Sequence, residues 1–291
     1  MNAAAEIHID TPHGALAGLH WQAPDGAPVL CLHGWLDNAA SFIPLSRFLP
    51  ELDLVAVDLP GHGRSYHRHP SAHYYFTEYL WDLDAALDAL GWSCCHLLGH
   101  SLGAAIAAIY TATAPERVRS LVTLDALGPI SGAAQDCTAR LRQSLRSVRA
   151  GPRGSKKYRS IEDMIRARRT NTDLDDIPAR LICERSVRQR DAHFEWSNDP
   201  SLYWVSPFLM TEEQVLVCLR HIEAPVLSLT ATPAGQYADE ERARTRCAAV
   251  PDGRHEFLPG SHHFHMDQPE TVAAKIQSFI LEHEHASRKN P

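Results

Sequence analysis

Short runs of continuously apolar residues alternate along this chain with stretches that are apolar at every third or fourth position. Residues 29–32, 52–57, 94–98, 118–124 and 225–229 form such runs, and 254–258 is a last, more polar one. Runs of this length read as strands buried on both faces, the signature of a parallel sheet. Helical spacing fills the gaps, over 38–49, at 80, 83, 87 and 90, from Ser101 to Pro115, over 236–249 and over 269–284. Residues 5–10 and 15–22 instead alternate apolar with polar around Pro12-His13-Gly14, which predicts an edge hairpin. Strands and helices in this rhythm predict a doubly wound, mainly parallel α/β sheet with right-handed crossovers.

The rhythm breaks near residue 130. Helical periodicity persists there only in short pieces, with Gly151-Pro152-Arg153-Gly154 as a loop. Order returns at Thr211-Glu212-Glu213-Gln214, a capping-box pattern ahead of the apolar positions 215–219. The expected organisation is one core domain, residues 1–129 and 211–291, carrying a helical cap inserted over 130–210. A chain of 291 residues suits one large domain with an insertion better than two full domains.

One stretch concentrates the chemistry. Gly99-His100-Ser101-Leu102-Gly103 follows the apolar run at 94–98 and precedes a small-residue helix pattern. Strand, sharp turn and helix with a serine at the apex make a G-x-S-x-G nucleophile elbow. Its serine takes strained backbone geometry, tolerable only between residues lacking a Cβ.

Charge separates the insertion from the rest. Residues 138–190 hold fifteen Arg and Lys against six Asp and Glu, a local +9 inside a chain of −7, which leaves −16 for the remainder. The arginines are solvated faces on one reading, and on the other a positive lid that steers an anionic substrate or meets an acidic membrane surface. The overall negative charge argues against a nucleic-acid partner. The seven cysteines include no C-x-x-C pair and several lie in strand patterns, as buried free thiols in a reducing cytoplasm would. Neither a signal-peptide pattern nor an apolar run long enough to span a bilayer is visible, so a cytoplasmic enzyme without an integral membrane segment is expected.

The elbow, His33-Gly34-Trp35 upstream, Asp58-Leu59-Pro60-Gly61-His62-Gly63-Arg64-Ser65 between them, and Gly260-Ser261-His262 near the end resemble the α/β-hydrolase superfamily, including its serine-hydrolase-like, lidded members. The resemblance covers residues 5–130 and 210–285. It implies a serine hydrolase acting on a small-molecule ester or thioester, an anionic one among the alternatives, with no cofactor and no metal. Carbon–carbon bond hydrolysis, acyl transfer and haloperoxidase chemistry reuse the same groups. A non-catalytic receptor on this fold is the alternative from another class. Haloalkane dehalogenases and epoxide hydrolases use an aspartate where Ser101 stands.

Ser101 needs a base within reach and an orienter behind that base. The family pattern places the histidine after Gly-x, which selects His262 over His263 and His265; those two read as pocket wall or as support for the groups that line it. The acid departs from the commoner pattern. After the run at 225–229 the chain reads Thr230-Ala231-Thr232-Pro233-Ala234-Gly235, without a carboxylate. Asp125, ending the run after the elbow helix, is the expected acid, with Asp239 in reserve. The oxyanion donors implied are the backbone N–H groups of Leu102 and Trp35. His33, His100, Trp196, Trp204 and His263 are the expected substrate-pocket residues, and packing explains the aromatics equally well. The loop at 58–65 lacks the spacing of a phosphate cradle, and His67, His69 and His73 lack the pattern of a metal site.

Overall fold

The computed structural model describes residues 4–152, 154–172, 174–233 and 239–289. In chain order the elements are β1 (Ala5–Thr11), β2 (Gly14–Trp21), β3 (Ala27–Leu32), α1 (Ile43–Ser46), β4 (Leu52–Val57), α2 (Glu78–Ala89), β5 (Cys95–His100), α3 (Leu102–Thr113) and β6 (Val118–Leu124). Then come α4 (Cys137–Arg149), α5 (Ile161–Thr170), α6 (Asp176–Arg185), β7 (Val187–Arg190) and β8 (His193–Trp196). The chain closes with α7 (Glu212–Arg220), β9 (Val226–Thr232), α8 (Glu240–Ala249), β10 (Gly253–Pro259), α9 (Phe264–Asp267) and α10 (Pro269–Lys289).

Eight strands form one sheet in the order β1-β2-β4-β3-β5-β6-β9-β10. Only β1 with β2 and β2 with β4 pair antiparallel; every other neighbour is parallel. The continuous apolar runs are those central parallel strands. In β5 every residue is buried, because helices cover both faces. One layer sets Leu83 and Leu87 of α2, Ile106 of α3 and Val215 and Leu219 of α7 against the sheet. The other sets Phe42 and Leu45 with Val272, Ile276 and Ile280 of α10 against it. The capping box forms as its spacing predicts, with Thr211 Oγ1 accepting from Gln214 N–H and Gln214 Oε1 accepting from Thr211 N–H. Of the helix expected over 236–249, residues 236–238 lie outside the described residues; the part described begins at Glu240.

The segment between β6 and α7 is not wholly helical. Besides α4, α5 and α6 it holds the hairpin β7–β8. Its strands are four residues each and half-buried or exposed, too short and too polar for alternation to show in sequence. The segment has its own core of Tyr158, Met164, Ile165, Ile182 and Cys183, closed from below by Met266 of α9. Polar bonds tie it to the sheet. Asn38 Nδ2 donates to the carbonyl of Ile182 and to Ser186 Oγ, each at 2.8 Å. Arg185 Nε donates to both oxygens of the fully buried Asp58 at 2.9 and 3.0 Å, and Arg185 Nη1 reaches Glu6 at 2.7 Å. Asp58 also accepts from the N–H groups of Ala39 and Arg64, so the loop at 58–65 is a structural hub.

Candidate active site

The strand-to-helix turn at Ser101 is as sharp as its glycines require. Ser101 has φ 49° and ψ −110°, in the region L side chains rarely adopt. A Cβ on Gly99 would lie 2.5 Å from the backbone of Ala104, and one on Gly103 would lie 2.0 Å from the carbonyl oxygen of Leu32. Only glycine lets α3 approach β3 and β5 this closely. The N–H of Gly103 donates to the carbonyl of His33 at 3.0 Å, which fixes the elbow against the loop after β3. Leu102 is the first residue of α3, so its N–H belongs to the helix terminus, where the dipole favours negative charge. Trp35 follows Gly34 in that loop, and its ring is 47% exposed, 5.4 Å from the ring of Tyr203.

His262 comes to the elbow from the loop after β10. The Nε2–H of His100, one residue before Ser101, donates to the carbonyl of His262 at 2.9 Å, and the two rings lie 4.7 Å apart. On the other side, His262 Nδ1 donates to Asp125 Oδ2 at 2.5 Å. Asp125 is buried, and its remaining oxygen accepts from the N–H of Ala231 at 2.9 Å. Its own N–H donates to Leu229, and its φ is 55°, so the end of β6 turns sharply to aim the carboxylate. Ser101, His262 and Asp125 are thus brought to one rim of the sheet. Asp239 is elsewhere: it caps α8, with Oδ1 accepting from the N–H of Arg242 at 3.0 Å.

Three histidines expected in the pocket are buried. His33 is fully buried; its Nε2 accepts from the N–H of Leu59 at 2.9 Å, so its Nδ1–H donates to the carbonyl of Gly34 at 2.7 Å. Both nitrogens hold backbone, and burial pushes the ring down to about 4. His100 and His263 are likewise buried, and face Asp37. All three rings pack among the loops around Ser101 with little or no exposed surface. Trp196 is half-buried against the inserted segment's own core, and its indole N–H donates to Tyr158 Oη at 3.2 Å. Trp204 is half-buried, its ring 4.9 Å from that of His73. His67 and His69 meet Asp199 and Ser71 instead of each other.

Asp37 is the residue that sequence reasoning missed. Its Oδ2 accepts from His263 Nε2–H at 3.2 Å and lies 3.5 Å from His100 Nδ1, while its Oδ1 pairs with Arg168 of α5. Arg168 also donates to the carbonyl of Leu36 at 3.0 Å. Burial works to raise the Asp37 carboxyl, but His263 and Arg168 hold it well below the usual carboxylate range. Burial, with His262 and His263 nearby, pushes His100 down to about 4 despite Asp37. Asp37, His100 and His263 bring one ligand atom each within 4.8 Å, the one such set among the described residues. The guanidinium already neutralises the carboxylate that would attract a cation, so the set is an ion-paired brace behind the elbow. An acid four residues after His33 was a usable signal; Arg168, one of fifteen basic residues in its segment, had none.

The sequence profile of the α/β hydrolase fold matches residues 27–268, running straight through the inserted segment. The chain belongs to the α/β hydrolase family. A serine hydrolase-like protein of Danio rerio is 32% identical over 96% of this chain and 89% of its own length. Serine hydrolase-like protein 2 of Homo sapiens is 28% identical over 95% and 94% of the two chains. The crystal structure of the hypothetical protein PA1622 of Pseudomonas aeruginosa superposes with a TM-score of 0.90, at 31% identity, over 97% of this chain and 99% of that one. Membership in this hydrolase family rests on these relatives together with the sheet order and elbow described above.

Proposed function

We propose that this α/β hydrolase cleaves a carboxylic ester or thioester through an acyl-enzyme on Ser101. His262 takes the serine proton as Oγ attacks the carbonyl, then returns it to the leaving group; water, deprotonated by the same imidazole, releases the acid. Asp125 holds the Nδ1–H tautomer, so Nε2 is the basic nitrogen, and steadies the imidazolium that forms. The N–H groups of Leu102 and Trp35 receive the developing oxyanion, the first with the dipole of α3 behind it. Residues 130–210 act as a cap above Ser101 and shape the pocket.

The observation that carries this reading is the 2.5 Å bond from His262 Nδ1 to Asp125, on a histidine anchored by the residue next to Ser101. An orienter, a base and a strained serine at the C-terminal ends of parallel strands are what acyl transfer needs. The test is a fluorophosphonate probe with p-nitrophenyl esters of graded acyl length. The native protein is expected to label and turn over, and Ser101→Ala to do neither. A Ser101→Ala variant that still labels at the native rate would overturn the assignment.

A further inference from the structure

The inserted segment leaves one face of α4 uncovered. Leu141, Leu145 and Val148 fall at i, i+4 and i+7, one stripe of a helix. Leu141 is half-buried, but Leu145 is 58% exposed and Val148 is exposed too, and Ser144 is the only residue of α4 that is buried. Beside that stripe, Arg142, Arg146 and Arg149 repeat the same spacing one residue on, all exposed. The helix contains no acidic residue, and these three arginines have no acidic partner among the described residues. Lys156, Lys157 and Arg159 follow, also exposed.

The same segment exposes further apolar side chains. The N–H of Val205 donates to Ser147 Oγ at 3.2 Å, which sets the 203–208 loop against the side of α4 away from Leu145. The N–H of Gly132 donates to the carbonyl of Met210, which ties the start of the segment to its end. Phe208 is 65% exposed and Ile130 67%. The exposed ring of Tyr203 lies 5.4 Å from that of Trp35. Exposed leucine and valine on one stripe of a helix, bordered by arginines without acidic partners, call for a covering partner.

We propose that this face docks on an anionic phospholipid bilayer, with α4 lying in the interface. A basic amphipathic helix with leucine and valine on its apolar side has the composition such helices need. Charge chooses between this partner and a second copy of the chain. Two copies meeting face to face would oppose arginine with arginine. A bilayer of anionic lipid attracts the positive segment and repels the negative remainder, which turns the face toward the membrane. The placement does not depend on the chemistry of Ser101, because binding is measurable on Ser101→Ala.

The experiment is co-sedimentation of the full chain with vesicles of one part phosphatidylglycerol to three parts phosphatidylcholine, against phosphatidylcholine alone, repeated with Ser101→Ala. Binding is expected only to the anionic vesicles, and to weaken as salt is added. Arg142→Gln with Arg146→Gln and Arg149→Gln should cut it about a hundredfold. Leu145→Glu with Val148→Glu should cut it at least about tenfold. Both variants change exposed side chains, so thermal unfolding and hydrolysis of a soluble short-chain ester should stay near native values. Equal partition to both vesicle types, or binding that survives both variants, overturns the proposal. So does a dimer that Leu145→Glu dissociates, which would assign the face to a second copy.

Discussion

At the scale of single residues, the two carboxylates weighed for the histidine differ in what they hold. Asp125 spends one oxygen on Ala231 N–H and the other on His262, whereas Asp239 caps a helix. Asp125→Asn retains an oxygen for Ala231 but offers an amide to His262 Nδ1, favouring the wrong tautomer. Its turnover of an activated ester is expected to fall by about 10³–10⁴-fold while KM changes little. Asp239→Asn should keep the native rate, because asparagine caps as well as aspartate. If Asp239→Asn proved the slower enzyme, the acid would be misassigned. Asp37 differs again: it touches neither Ser101 nor a reacting atom, and braces His263 and Arg168 behind them.

At the scale of elements, termini carry the information. The capping box at Thr211 starts α7, and two elements meet there: Arg246 of α8 donates to Glu212 of α7 at 2.9 and 2.7 Å and to the carbonyls of Leu127 and Gly128 at 2.9 and 3.1 Å. The stretch just after Asp125 is therefore held from α8. Thr211→Ala is expected to lower unfolding stability by about 1 kcal/mol, read from the urea midpoint, with activity unchanged. The hairpin β7–β8 teaches the opposite lesson. Polar, four-residue strands are specified by the Tyr158–Phe194 backbone pairing and the core beneath them, information that local periodicity does not carry.

At the scale of the whole molecule, the inserted segment is fastened by buried charge. Arg185→Ala leaves Asp58 buried without its ion partner and is expected to cost about 3–5 kcal/mol in chemical denaturation. A loss below about 1 kcal/mol would show the pair to be dispensable. Buried histidines set the pH response. Burial pushes His33, His96 and His100 down to about 4 and His62 to about 3. In the unfolded chain these rings gain protons as pH falls through about 6.5, and the folded protein does not follow until near 4. Unfolding stability should therefore decline between those values, by as much as about 1.4 kcal/mol per pH unit for each ring. Denaturant midpoints at descending pH measure it. His62→Gln should shallow the slope, and a midpoint constant across that window would contradict the buried neutral state of these rings.

Local pattern was enough for the parallel sheet, its helices, the elbow and the capping box, because each depends on residues close along the chain and on a periodicity or a steric rule visible there. The placement of Asp125 at the end of a buried run was equally legible. Tertiary structure alone decided which way that carboxylate points, since its partners lie at 231 and 262. It also decided that His33, His100 and His263 are buried, because burial follows from what packs on a ring rather than from the ring's neighbours in sequence. The brace between Asp37 and Arg168 joins positions 131 residues apart. No local rule marks such a pair: an ion pair takes its meaning from the water that folding removes around it.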